Sequence, residues 1–167
     1  MRNKNVQYGL MAGAGVIAWF LLFYWIDKPL MLSPYVYYAS FVLYLWAMYK
    51  AMVVICRQEE EPDFKAVLRS GFVVYLVANL LYYLFYYFIH QQDAHLAELQ
   101  KEAMREWLPR ITPRDKLQKA LEALESSDFS VKPADALFSY ARSAIGGFVL
   151  AAGLAWIALR TVKLDDV

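Results

Sequence analysis

Charge in this chain is confined to a few blocks, and the stretches between them are long and apolar. Positions 6–26, 70–90 and 143–159 carry no charged residue, and positions 29–56 carry one, Lys50. A helix needs about 20 mostly apolar residues to cross roughly 30 Å of hydrocarbon. All four stretches reach or approach that length, so the pattern predicts membrane-spanning helices over about residues 6–26, 35–56, 71–89 and 136–159. Asp27-Lys28-Pro29 ends the first, and a short turn runs on to Pro34. The segment from Arg57 to Pro62 is a solvated linker. Asp63 to Ser70 is an amphipathic lead-in to the third span, with Phe64, Val67 and Leu68 on one face.

The pattern changes between the third and fourth spans. Residues 90–136 hold seven Lys or Arg and nine Asp or Glu. Leu96, Leu99, Ala103, Trp107 and Leu108 fall at helical spacing, as do Leu117, Ala120, Leu121 and Leu124. Two amphipathic helices are therefore expected here, separated at Pro109. Thr112-Pro113-Arg114-Asp115 is a start signal for the second, with Thr112 as N-cap and Pro113 in the first helical position. Ser126 to Ser130 reads as a loop, and Lys132-Pro133 opens the last span.

Composition sharpens this picture. Hydrophobic residues make up 60% of 167 positions, with mean hydropathy +0.30, and so short a chain cannot wrap four such runs in polar surface. The fold class is all-α: a polytopic membrane protein, residues 1–167 forming one membrane domain, with residues 90–135 as an extracytoplasmic helical segment. Arg2 and Lys4 resemble the start of a signal peptide, but the apolar run is too long and no small-x-small cleavage site follows Trp25, so a retained helix is expected. A net charge of +1 gives no electrostatic case for nucleic acid. The single cysteine, Cys56, excludes an intrachain disulfide and a cysteine metal cluster; at a span end it is inert or palmitoylated, and inert is favoured.

Orientation follows from the bias of Lys and Arg toward short cytoplasmic loops. Arg2, Lys4, Arg57, Lys65, Arg69, Arg160 and Lys163 fall on one side, and the short loop on the other has only Lys28, beside Asp27. Both termini are expected in the cytoplasm. Aromatic residues crowd the opposite side: Trp19 to Trp25, Tyr35 to Phe41, and Tyr82 to Phe88. They read as one thick girdle at the headgroup boundary, although both interfaces attract such rings.

Candidate functional residues are few. Gly9 and Gly13 form a G-x-x-x-G pattern, and Gly147, Ala151 and Ala155 form a second small-residue ridge. Such ridges admit close helix packing in lipid. They serve either an oligomer or partner interface, or packing of span one on span four within the chain, which is favoured. Lys50, Asn79 and Arg142 are the candidate functional polar residues inside or near the spans. Lys50 and Arg142 are expected to snorkel to the interfaces and Asn79 to bond across helices; the other reading has them lining a path. His90, Asp93, His95 and Glu98 cluster after span three, but His90 and His95 are five apart, poor spacing for a metal, and none is expected. No nucleophile elbow, zinc-protease or phosphate-loop motif occurs, so no cofactor is expected.

Lys4 with Tyr8-Gly9-Leu10 and Gly13, Phe64-x-Ala66 and Gly71 before span three, a polar helical segment between spans three and four, and closing Arg160 and Lys163 carry a resemblance. The chain resembles an uncharacterised family of four-span inner-membrane proteins of Bacteroidetes-type bacteria, defined only as a domain of unknown function. The resemblance implies a bacterial inner membrane, and a partner of the polyprenyl-phosphate glycosyltransferase type; it supplies no catalytic residues. High Tyr, Trp and Phe content sets this chain apart from a typical member. The expected function is a non-enzymatic membrane subunit that anchors or scaffolds a partner or self-associates among membrane lipids. The alternatives are a small transporter or lipid-translocating protein using Lys50, Asn79 and Arg142, and an outer-face lipid enzyme using His90, Asp93, His95 and Glu98.

Overall fold

A computed structural model describes residues 2–59 and 61–165. Glu60 of the linker, and the side chains of Arg2 and Lys163 counted for orientation, lie outside the described residues. The described chain forms seven helices: α1 (Arg2–Ile26), α2 (Lys28–Met31), α3 (Pro34–Gln58), α4 (Phe64–Gln92), α5 (His95–Ile111), α6 (Arg114–Ser126) and α7 (Pro133–Asp165). Four of them, α1, α3, α4 and α7, are long and apolar enough to cross a membrane. Helix is the form that satisfies backbone N–H and C=O groups where no water can reach them. At 1.5 Å per residue the 33-residue α7 is about 50 Å long, well beyond the hydrocarbon thickness. The chain is an integral, multi-pass membrane protein.

The amphipathic lead-in and the third span are one helix, since nothing between Phe64 and Gln92 interrupts hydrogen bonding. That helix, α4, is the hub of the bundle and packs on α1, α3 and α7. Its neighbours occupy three adjacent stripes. Val77, Ala78 and Leu81 face Gly9 and Gly13 of α1; a Cβ added at either glycine would lie 2.6 Å from a side-chain carbon of Val77 or Leu81. Gly71, Tyr75 and Tyr82 face Met52, Tyr44 and Tyr37 of α3. Phe72, Tyr75 and Asn79 face Phe148, Gly147 and Ser143 of α7. Gly9, Gly13 and Gly147 therefore seat against α4, where the sequence had suggested packing of span one on span four; Ala151 and Ala155 are buried further along α7. Glycine at these positions removes the one substituent that would hold the helices apart.

α7 is packed unevenly. Gly147, Ala151, Ala155, Ala158 and Val162 are buried, whereas no residue from Pro133 to Gly146 is. The helix is tightly packed over its second half; over its first it keeps contact with α4, the Tyr140 hydroxyl donating to the Leu76 carbonyl at 3.4 Å and the Tyr140 and Tyr83 rings standing 6.3 Å apart, while its other sides are open.

Polar bonds join the helices at both ends. Toward the termini, Ser70 donates to Asn5 (3.1 Å), and the Tyr49 and Thr161 hydroxyls lie 3.1 Å apart. Toward the other end, Trp19 donates its indole N–H to the Val36 carbonyl in the first turn of α3 (3.1 Å). Ser33 caps α3 by accepting from the Tyr35 N–H.

α5 and α6 form a helical pair over that second end. α5 touches α2, with Leu96 fully buried, and α6 packs on α5. Glu125 of α6 pairs with both Lys101 (3.1 Å) and Arg105 of α5. Pro109 does not separate the two helices. It sits in the last turn of α5, where its missing N–H removes only one ladder bond, and the helix runs on to Ile111. The break falls at Thr112-Pro113, and the cap of α6 is Pro113 rather than Thr112, with no side-chain capping bond.

Candidate functional site

The chemistry-bearing side chains concentrate at the α5–α6 end. Lys28 of α2 places Nζ 2.5 Å from Asp93 Oδ2, just after the end of α4. The Tyr24 hydroxyl, at the end of α1, donates to the same oxygen at 2.9 Å. Asp93 Oδ1 accepts the His95 N–H at 3.2 Å and so caps the start of α5. The Lys28 ammonium also stands 4.9 Å from the Tyr24 ring centroid. Hydrogen bonding by Lys28, and then by Tyr24, holds the Asp93 carboxyl below its ordinary pKa, and the Asp93 partnership raises that of Lys28. One carboxylate thus fastens α1, α2, α4 and α5 together.

A cavity of about 370 Å³ opens beneath this clamp. Phe20, Tyr37, Tyr82, Tyr83 and Tyr86 wall it, with Gln100 of α5 and Ser139 of α7 at its polar margin. It lies beside the less buried first half of α7. Rings are stacked around it: Phe20 and Tyr82 at 5.1 Å between centroids, Tyr82 and Tyr86 at 6.0 Å, Tyr37 and Tyr82 at 6.2 Å. The aromatic girdle read from the sequence is therefore two populations. Trp25 (84% exposed), Tyr35 (76%) and Tyr38 (68%) form an outward belt, whereas Phe20 and Tyr82 are buried inside the bundle.

A second depression, of about 550 Å³, lies between the α2–α3 turn and α5. Leu32, Pro34, Leu99, Ala103, Trp107 and Ile111 are among the residues that wall it. Ile111 is 66% exposed.

The intramembrane polar residues do not converge. Asn79 is buried and donates to Ser143 Oγ at 2.5 Å, while Ser143 donates to the Tyr140 carbonyl and accepts through its own carbonyl from Tyr75. Lys50 is exposed on α3. Its neighbour Tyr49 meets Thr161, 18 residues beyond Ser143 on α7, so Lys50 and Asn79 differ in depth by about 27 Å at 1.5 Å per residue. Arg142 is also exposed. These three residues do not line a common path. Cys56 is buried.

Nor do the four residues after span three form one site. Asp93 is engaged by Lys28 and Tyr24, and His95 pairs with Glu98 on the exposed side at 3.1 Å. His90 is buried, its ring 4.1 Å from that of Tyr86 and its Nδ1 2.9 Å from the Tyr86 carbonyl oxygen; Nε2 is buried without a partner among the described residues. Among the described residues no cluster of three His, Cys, Asp or Glu could hold a metal ion.

Sequence reasoning missed the clamp and the cavity. Lys28 stands next to Asp27 and reads as a self-neutralised loop pair, yet its partner lies 65 residues away. The available signal was Asp93 two residues before a helix start, a position that favours a side chain accepting a backbone N–H.

No curated protein and no solved structure matches the chain. The family model described as "Protein of unknown function (DUF4199)" matches residues 7–160, nearly the whole described bundle, and the chain belongs to that family.

Proposed function

We propose that this chain is a non-enzymatic subunit of a bacterial inner membrane that anchors or scaffolds a partner protein at the α5–α6 end. The carrying observation is the fixed groove of Leu32, Pro34, Leu99, Ala103, Trp107 and Ile111. The Asp93 clamp holds one wall against the other, and a preorganised apolar surface binds at lower ordering cost than a mobile loop. Its occupant is an apolar segment of another membrane protein. The family resemblance directs attention to a polyprenyl-phosphate glycosyltransferase. The excess of Lys and Arg on the side of the termini supports cytoplasmic termini and a groove on the outer face.

Site-specific photo-crosslinking in native membranes tests this reading. A photoreactive residue replacing Ala103 should give one adduct with a defined membrane protein, lost on Leu99→Glu, and the same residue replacing Gln118 on the exposed part of α6 should give none. Lipid adducts alone at position 103 would remove the proposal, and a self-adduct would replace a foreign partner by a second copy.

A second reading, a small transporter or lipid-translocating protein, draws its support from the aromatic cavity open beside α7 rather than from Lys50, Asn79 and Arg142. Lipid flux in proteoliposomes that stops when Ser139→Trp fills the cavity would favour it over the scaffold.

A further inference from the structure

We propose that the aromatic cavity between α1, α3, α4 and α7 binds an uncharged, carbonyl-bearing lipid of the quinone class. The proposal does not rest on the scaffold reading: the cavity adjoins that groove at Leu32, Pro34 and Gln100 but is walled by Phe20, Tyr37, Tyr82, Tyr83 and Tyr86, none of which lines the groove. Its walls are ring faces and aliphatic side chains, which suit a flat conjugated headgroup. No Lys, Arg, His, Asp or Glu lines it. A phosphate or carboxylate headgroup there would lose its hydration with no cation to receive it, at a cost that selects against anionic lipids. An uncharged headgroup avoids that cost.

Hydrogen-bond donors remain available inside. Tyr82 is 6% exposed and lines the cavity, and among the described residues its hydroxyl makes no hydrogen bond. The half-buried Tyr37 hydroxyl is equally uncommitted. An unsatisfied hydroxyl at membrane depth is costly, and a ligand carbonyl accepting from it would recover that cost. The Tyr86 hydroxyl and the Gln100 amide, 3.3 Å apart, offer a further polar contact at the margin. About 370 Å³ falls within the range of small-molecule sites, roughly 300–1,000 Å³, and holds a one- or two-ring headgroup. Tyr38, 68% exposed on α3, also walls the cavity, so the cavity reaches the outer surface of the bundle there and leaves an exit for an isoprenoid tail into lipid.

The test uses the full chain in lipid nanodiscs with a short-chain naphthoquinone as probe, and reads binding by equilibrium dialysis. Wild type should bind saturably, one probe per chain. Tyr82→Phe keeps the ring contacts with Phe20 and Tyr37 and should weaken binding about tenfold. Tyr49→Phe, at the far end of the bundle, should leave it unchanged. A photoreactive naphthoquinone on wild type, which needs no variant to fold, should label α3 or α4 around Tyr37 and Tyr82. Absence of saturable binding, undiminished binding by Tyr82→Phe, labelling confined to the Trp107 groove, or displacement by equimolar polyprenyl phosphate would each overturn the proposal.

Discussion

Lys28 and Asp93 meet at 2.5 Å across 65 residues of sequence, and theirs is the ion pair that ties the helical cap to the membrane bundle. The other ion pairs among the described residues lie within the cap or its flanking loop. α6 reaches the bundle through α5, so the position of the whole cap depends on how α5 is held. Buried Leu96 supplies the apolar part of that attachment, and the Asp93 clamp supplies its direction.

The clamp predicts a pH window for the docked cap. Asp93 is held below the ordinary carboxylate value of 3.8, so its contribution is complete above that value and is lost as pH falls through the depressed one. Lys28 is raised above 10.5, so its contribution is complete below that value and is lost as pH climbs through the raised one. Hydrogen exchange of α5 amides, corrected for intrinsic rates, should be slow and level between about pH 4 and 10 and should rise on either side. Asp93→Asn should raise α5 exchange at pH 7 by about three- to tenfold, in keeping with a partly exposed charged pair. Exchange in Asp93→Asn that matches wild type would show that Leu96 and the Tyr86–Gln100 contact hold the cap without the clamp.

The two neighbouring glycines of α7 should behave oppositely. A Cβ at Gly147 would run into the Tyr75 ring, which is itself buried and bonded to the Ser143 carbonyl; a Cβ at Gly146 would meet nothing within 4 Å. Gly147→Ala should destabilise the bundle in detergent by about 1–3 kcal/mol, the usual range for overpacking. Gly146→Ala should be neutral or slightly stabilising, because alanine costs less backbone entropy than glycine in a helix. Thermal melts of the two variants, followed by helical ellipticity, separate the cases.

The sequence was legible where a single physical rule governed. The four spans follow from charge-free length, because lipid tolerates no alternative. The amphipathic helices follow from period: Leu96 and Leu124, both within the apolar stripes, are buried. What was not legible depends on pairing at a distance. Gly9, Gly13 and Gly147 announce close packing but not against what, and the small residues of α4, their shared partner, cluster at Ala66, Ser70 and Gly71, away from Val77, Leu81 and Tyr75 where those glycines seat. The aromatic residues failed for a related reason. Tyr35 and Tyr82 have the same chemistry and occupy the same predicted boundary, yet one is 76% exposed and the other 6%. In a span apolar on every side, periodicity does not mark an inner face. Asn79 was read as a bond across helices, and it makes one to Ser143.

That bond carries its own prediction. Asn79→Leu removes a buried amide that spans α4 and α7 near the point where α7 becomes less buried. Such bonds in membranes are worth about 0.6–2 kcal/mol. The variant should lose that much stability, and α7 amides from Ser139 to Gly147 should lose protection before those from Ala151 to Ala158, which are held by close packing alone. A double-mutant cycle with Ser143→Ala should recover a coupling of the same size. Additivity of the two single changes would place the stability elsewhere.

His90 should be dispensable for stability, contrary to what its burial suggests. Its ring is 7% exposed, and Nε2 has no partner among the described residues. Nδ1, 2.9 Å from the Tyr86 carbonyl oxygen, is placed to donate to a carbonyl that the helix already uses. Leaving a buried polar atom unpaired costs about 1–3 kcal/mol, while the net worth of a neutral hydrogen bond is about 0.5–1.5 kcal/mol. Phenylalanine keeps the ring contact with Tyr86 and removes the orphaned nitrogen. His90→Phe should therefore melt at the same temperature or higher, with a gain of up to about 1–2 kcal/mol. His90→Ala, which also empties the space, should destabilise by about 3 kcal/mol, as truncation of a buried ring does. If His90→Phe instead destabilises as much as His90→Ala, Nε2 must have a polar partner in the folded protein, and the imidazole would be a group the molecule uses.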